Sequence, residues 1–312
     1  MLMGTHRTLA SAAVFIGLAF SVPVYGGTSA TNNPPSPILH RFVCVDNSGK
    51  TAKLIHVDQA RPAANWVVAL PGEGPRDLQW IGSDRILVSL SCGYGEYDLN
   101  TGKELRKVSG FKDITTARRL ENGHTLLAGS ESNSIVVREV DAEGKPCGEP
   151  RQIPCMGKPL RQMRVLPNGN LLLHVSVDTV SEVDPSGKTV WTLHLPADIS
   201  GSKGTVAERL PDGSTLTSLG NGVRVAQYDA QGHELRFWGE ARKSDHPEWK
   251  LDYASGFDFL SNGHVVMSNW QGHLRQAVGS HLVEFDNANR LVWQWGDARL
   301  ARQVTNVLVL DK

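Results

Sequence analysis

LRQMRVLPNGNLLLHVSVDTVSEVDPSGKTVWTLHLP, residues 160–196, reads as four short strands joined by tight turns. Alternation runs up to Leu166, Asn168-Gly169 supplies the positive φ angles of a hairpin turn, and residues 170–176 form a second strand. Residues 179–183 form a third, Pro185-Ser186-Gly187 turns the chain again, and residues 189–195 form a fourth. The opening phrase returns six times, ending at Ile81, Leu120, Leu166, Leu210, Leu260 and Leu310, at spacings of 39 to 50 residues. One four-stranded propeller blade takes about 40–50 residues, so the period predicts a ring of such blades. The last copy stops one strand into its blade. Residues 41–45, 52–57 and 65–70 supply three more strands, with a turn at Asn47-Ser48-Gly49. The expected fold is all-β: a six-bladed β-propeller with four antiparallel strands per blade, closed by three N-terminal strands plus one C-terminal strand.

Composition narrows the partners. With 32 basic and 32 acidic residues, the chain lacks the positive excess on which nucleic-acid binding rests. A small polar molecule or a protein is the expected partner, with no cofactor and no metal, and a monomer the expected state. At the start, His6 and Arg7 precede an apolar run over residues 9–24, then Val24-Tyr25-Gly26. That order describes a secretory signal over residues 1–27, and the run is shorter than the roughly 20 residues a membrane span needs. Residues 28–37 read as a flexible, polar, Pro-rich lead, and residues 38–312 as one propeller domain. The expected location is secreted or periplasmic, with no membrane span after signal cleavage. Export permits disulfides among Cys44, Cys92, Cys147 and Cys155; Cys147 could bridge Cys155 locally, while Cys44 and Cys92 end second strands in neighbouring blades.

Strand order puts the variable loops on one face, the face of the crossovers between blades and of the second-to-third loops. Two such loops stand out. The crossover into blade five, residues 239–256, carries Asp245, His246, Trp249, Asp252 and Tyr253; the loop over residues 268–281 carries Asn269, Trp270, Gln271, His273, Arg275, Gln276 and His281. Aromatic walls with a few polar groups suit a ligand site or a protein-binding rim. A second candidate is the ring of polar starts of the first strands around the channel: Arg76 and Asp77, Thr115 and Thr116, Arg161 and Gln162, Thr205, Ser255, Thr305 and Asn306. Two arginines in a hydroxyl-rich funnel could hold an anion by charge-assisted hydrogen bonds.

His174 stands in a column otherwise filled by Ser89, Ala128, Ser218, Ser268 and Cys44, all small, so it needs a partner or points into the channel. His124, His233 and His264 fall in turns of the opposite face and read as solvated. Trp66, Trp191, Trp238 and Trp293 sit in fourth strands, where aromatics fill the gap between splayed blades. No G-x-S-x-G elbow, HExxH or P-loop is present.

The phrases LPNGNLLL, LENGHTLLAG, SGKTVWTL and NRLVWQWGD resemble exported bacterial propellers with pyrroloquinoline-quinone-type repeats and arylsulfotransferase-like proteins. The resemblance implies a propeller and export. It departs from the eight-bladed quinone dehydrogenases in blade number and from arylsulfotransferases in lacking their extra domain, so no catalytic role transfers residue by residue. Two functions are therefore expected of the crossover face around blade five. One is binding of a small polar ligand or a partner protein. The other is an enzyme, a transferase or lyase on a sulfated, phenolic or sugar substrate, with His273, His281 or His174 as base and Arg76, Arg161 or Arg275 as anion clamp.

Overall fold

The turn at the centre of the quoted stretch folds with one residue, not two, in the left-handed region. Gly169 has φ of +81° while Asn168 keeps a negative φ. Gly169 N–H donates to Leu166 O at 2.8 Å and Leu166 N–H to Asn170 O at 2.8 Å, which encloses a three-residue loop with a glycine bulge. Asn168 Oδ1 accepts from Asn170 N–H at 3.0 Å, a job done by Asn122, Asp212 and Asn262 in other blades. A second device repeats from blade to blade. An aspartate ends the third strands, and Asp141, Asp184, Asp229 and Asp286 each accept two backbone N–H bonds from the turn that follows. Such Asx geometry commits the chain to turn there.

The computed structural model describes residues 37–48, 51–71, 74, 76–196, 204–242, 244–272 and 279–312. Contacts group Ile38–Lys312 as one unit. Its strands are β1 (Arg41–Asp46), β2 (Lys53–Asp58), β3 (Trp66–Ala69), β4 (Leu78–Trp80), β5 (Arg85–Leu90), β6 (Gly93–Asp98), β7 (Glu104–Ser109) and β8 (Thr116–Arg119). There follow β9 (Thr125–Glu131), β10 (Ser134–Val140), β11 (Arg151–Pro154), β12 (Met163–Val165), β13 (Leu171–Ser176), β14 (Thr179–Val183), β15 (Thr189–His194) and β16 (Gly204–Arg209). The last are β17 (Thr215–Leu219), β18 (Arg224–Tyr228), β19 (Glu234–Gly239), β20 (Ala254–Phe259), β21 (Val265–Asn269), β22 (Leu282–Phe285), β23 (Leu291–Trp295) and β24 (Val304–Val309). They form six four-stranded antiparallel sheets; five take consecutive strands, and the sixth is ordered β24-β1-β2-β3. The inner strands β4, β8, β12, β16, β20 and β24 each contact the next, and β24 contacts β4, so the ring is closed. The chain is a six-bladed β-propeller.

Because successive strand residues face opposite sides, every sheet buries both faces against its two neighbours. Phe42 and Cys44 pack toward blade five, while Val43 and Val45 on the same strand pack toward blade one. The buried apolar residues divide into six clusters, one at each blade interface. Outer-strand tryptophans stitch these interfaces as expected: Trp66 Nε1 donates to Leu99 O at 3.0 Å, Trp191 Nε1 to Ala230 O at 3.1 Å, and Trp293 Nε1 to Gln59 Oε1 at 3.0 Å. Trp238 is buried beside Phe259 with Arg236 over its ring.

The permitted disulfides do not form; all four cysteines are free. Cys147 N–H bonds Glu139 O and Cys155 N–H bonds Asn133 O, so the two thiols lie at opposite ends of the β10–β11 ladder. Six residues of strand at about 3.3 Å each separate them by roughly 20 Å, far beyond disulfide reach. Cys44 is buried on the blade-five side of its sheet, whereas Cys92 packs with the cluster on the blade-one side.

The closing seam is also polar. Asp46 Oδ1 accepts from the backbone N–H of Arg302 at 3.0 Å and of Gln303 at 2.7 Å, fixing the entry to β24. Glu284, buried in blade five, joins His40 Nε2 at 2.7 Å and His264 Nδ1 at 2.6 Å, and His40 Nδ1 lies 3.3 Å from Asp311. His264 is thus half-buried and paired, not solvated, and His124 is paired with Glu139 in the same way at 2.6 Å. Burial alone would lower the His40 pKa, but Glu284 and Asp311 outweigh it and hold it above 6.5. That interaction stabilises the fold fully below pH 6.5 and fades as pH rises through the raised value. His40→Gln should therefore cost about 1.5–3 kcal/mol at pH 6 and progressively less toward pH 9, read from urea midpoints across that range. A pH-independent difference would contradict this account.

Candidate functional site

The polar starts of the inner strands turn out to hold the ring together. Thr205 Oγ1 donates to Ser255 O, Ser255 Oγ to Val304 O at 3.2 Å, Ser89 Oγ to Thr115 O at 3.0 Å, and Gln162 Nε2 to Arg76 O at 3.0 Å. Each links one blade to another. The hydroxyl protons are engaged with backbone carbonyls, and what the funnel offers a ligand as donors is chiefly guanidinium.

At the crossover mouth of the channel lies a cavity of about 180 Å³ lined by Arg76, Arg161, Gln162, Thr205, Tyr253, Ser255, Trp270 and Thr305. A neighbouring cavity of about 230 Å³, which includes Thr115 and Lys158, shares Arg76 and Arg161, so the two arginines stand at the boundary between them. Arg161 Nη1 donates to Lys158 O at 3.1 Å and to Leu160 O at 3.2 Å, which fixes its guanidinium. Burial and then the charge of Arg161 pull the Arg76 pKa down to about 10. Among the described residues neither guanidinium pairs with a carboxylate, in contrast to Arg118 with Asp77, Arg119 with Glu96, Arg209 with Glu182 and Arg224 with Glu234.

Blade five supplies the aromatic wall. Asn269 is buried, accepts from Asp252 N–H at 2.7 Å and donates to Lys250 O at 3.2 Å and Ser280 O at 2.9 Å. It thereby ties the crossover to the loop above it, and Trp270 N–H donates to Tyr253 O at 2.9 Å. The result is an edge-to-face pair, Tyr253 and Trp270, with centroids 5.7 Å apart. Burial raises the Tyr253 pKa, and Arg161 and Arg76 only partly offset it, so the phenol stays neutral near pH 7. Gln271, also buried, closes the loop base by bonding Ser280 O at 3.1 Å and Gly279 N–H at 3.2 Å. His273, Arg275 and Gln276 lie outside the described residues.

Other candidates are placed elsewhere. His246 stacks on Trp249 at 3.8 Å and pairs with Glu248, and Trp249 backs onto Phe285; this pair does not line the cavity. Asp77 is buried in the ring, bound by Thr116 and Arg118 with Arg164 at 3.5 Å. Asn306 is buried, accepting from Val307 N–H at 2.9 Å. His281 is buried beside Trp295, and burial lowers its pKa. His174 is fully buried and reaches into blade four, where a Cβ at Gly204 would collide with its ring. Its Nε2–H donates to Thr217 Oγ1 at 3.1 Å, because that hydroxyl already donates to Val206 O. Burial drives its pKa down to about 4, so it is neutral.

Solved structures share this architecture. A Bacteroides caccae protein of unknown function is 22% identical over 88% of this chain and 100% of its own, with a TM-score of 0.70. A streptogramin B lyase is 11% identical, covering 83% and 87%, with a TM-score of 0.50. Apo AztD from Citrobacter koseri is 11% identical, covering 87% and 98%, at 0.51. At these identities the likeness is one of fold alone. No family model and no curated protein matches the chain. Among the described residues no helix is long and apolar enough to cross a membrane.

Proposed function

We propose that the protein is an exported propeller that binds a small polar ligand in the funnel on its crossover face, between the inner-strand starts and the blade-five loops. The observation that carries this reading is the convergence of Arg76 and Arg161, unpaired by carboxylate among the described residues, on a cavity with a Tyr253–Trp270 corner. Like charges held together oppose folding, so their retention points to a bound partner. Export rests on the apolar run over residues 9–24 and the small residues that follow it. Among the described residues no histidine lines the cavity, which leaves the enzymatic alternative resting on His273, outside them.

A thermal-shift panel of sugars, amino acids, carboxylates and phosphorylated compounds tests the binding reading. At a hundredfold excess over Kd a ligand adds about 2.7 kcal/mol, a rise of roughly 5 °C for a domain of this size. No shift from any class overturns it. For export, a mature N-terminus near residue 27 in the secreted or periplasmic fraction is expected; an intact Met1 on cytoplasmic protein would count against it.

A further inference from the structure

We infer that the funnel takes a small organic carboxylate bearing one planar ring, the ring against Tyr253 and Trp270 and the carboxylate between Arg76 and Arg161; this rests on the reading that the funnel is the ligand site. The charge argument comes first. Arg118, Arg119, Arg209 and Arg224 each meet a carboxylate, whereas the funnel pair meets none among the described residues. A cation is therefore repelled from the boundary the arginines occupy. Lys158 and Asp113, one charge of each sign, both stand on the wall of the second cavity, so among the described residues the net positive charge there is that of the arginines.

Donor geometry then sets how an anion is held. Among the described residues Arg161 uses Nη1 alone, on Lys158 O and Leu160 O, which leaves Nε and Nη2 there as a two-pronged edge. That fork matches the two coplanar oxygens of a carboxylate. The hydroxyls of Thr205 and Ser255 already donate to Ser255 O and Val304 O, so an anion is held chiefly by the two guanidiniums; such a fork also accepts a phosphate, and phenyl phosphate is for that reason among the probes.

Size and shape fix the rest. A cavity of about 150 Å³ holds a benzene ring, and this one measures about 180 Å³. Tyr253 and Trp270, edge-to-face with each other, both line it, and a third aromatic ring packs well against such a pair.

The test uses the mature full-length protein, calorimetric titration, and four probes: benzoate, phenyl phosphate, benzyl alcohol and acetate. Benzoate should bind at least tenfold more tightly than each of the others. Arg161→Met and Arg76→Met should each weaken benzoate at least tenfold, about 1.4 kcal/mol, and Arg161→Lys should restore part of the loss at Arg161. Arg76→Met should melt at or above the wild-type temperature without ligand, since it removes a charge facing another, whereas Arg161→Met also gives up the bonds to Lys158 O and Leu160 O and is read on binding. Benzyl alcohol binding as tightly as benzoate, or benzoate binding unchanged in both variants, overturns the carboxylate assignment. Phenyl phosphate binding more tightly than benzoate overturns it as well. In these cases Trp270→Ala still abolishing the observed binding keeps the funnel as the site. Absence of binding by these probes together with a blank wider panel removes the funnel reading itself.

Discussion

Deleting residues 303–312 should leave a chain with no cooperative unfolding transition. The deletion removes β24, the inner strand of the closing blade, and with it Val304, Val307 and Val309 from the cluster between blades five and six. At about 1.5–3 kcal/mol per buried side chain, the loss is roughly 5–9 kcal/mol, comparable with the whole stability of a typical domain. Polar ties go too: Asp46 loses the N–H of Gln303, and buried Asp258 loses Lys312 Nζ at 2.6 Å and Val309 N–H at 2.7 Å. The exposed edge of β1 then invites association with other chains. Size-exclusion chromatography and thermal circular dichroism should show aggregate and no sharp melt. A monomer melting at the wild-type temperature would show that the terminal strand is dispensable.

Asp77→Asn should cost about 3–5 kcal/mol, because it leaves a buried guanidinium without its counter-charge. Arg118 bonds Met163 O at 3.0 Å through Nε and Leu78 O at 3.1 Å through Nη1, so it joins the inner strands of blades one, two and three while paired with Asp77. Burial pulls the Arg118 pKa to about 10, with the Arg164 charge next, and Asp77 counters both. Replacing the pair together as Asp77→Leu with Arg118→Met should cost less than Asp77→Asn alone, since no charge is then left buried. Urea unfolding of the variants decides this, and a loss below about 1 kcal/mol for Asp77→Asn would contradict the account.

Neighbours in sequence meet different ends here. Arg76 lines the funnel and Asp77 is sealed into the ring, although both belong to one polar strand start. Alternation of strand side chains separates them, but which of the two faces the funnel depends on where the inner strand sits against β8 and β24. The same holds for Thr205 and Ser255, which as sequence look like ligand donors. Their partners, Ser255 O and Val304 O, are 50 and 49 residues away, and no local pattern announces a bond between blades. The small residues of its column set His174 apart, yet only the glycine at 204 in the next blade explains how an imidazole fits.

What the chain's own order determined was the fold: Asn-Gly and Asp-Gly turns, alternating apolar strands, and a repeat near one blade in length specify local hairpins, and hairpins stack into a ring that closes on its termini. Local rules suffice because each blade is built from contacts between consecutive strands. The tertiary structure alone decided which polar residues remain available. Arg76, Arg161, Tyr253 and Trp270 come from three blades, and only ring closure brings them to one cavity while directing the hydroxyls between them into the backbone.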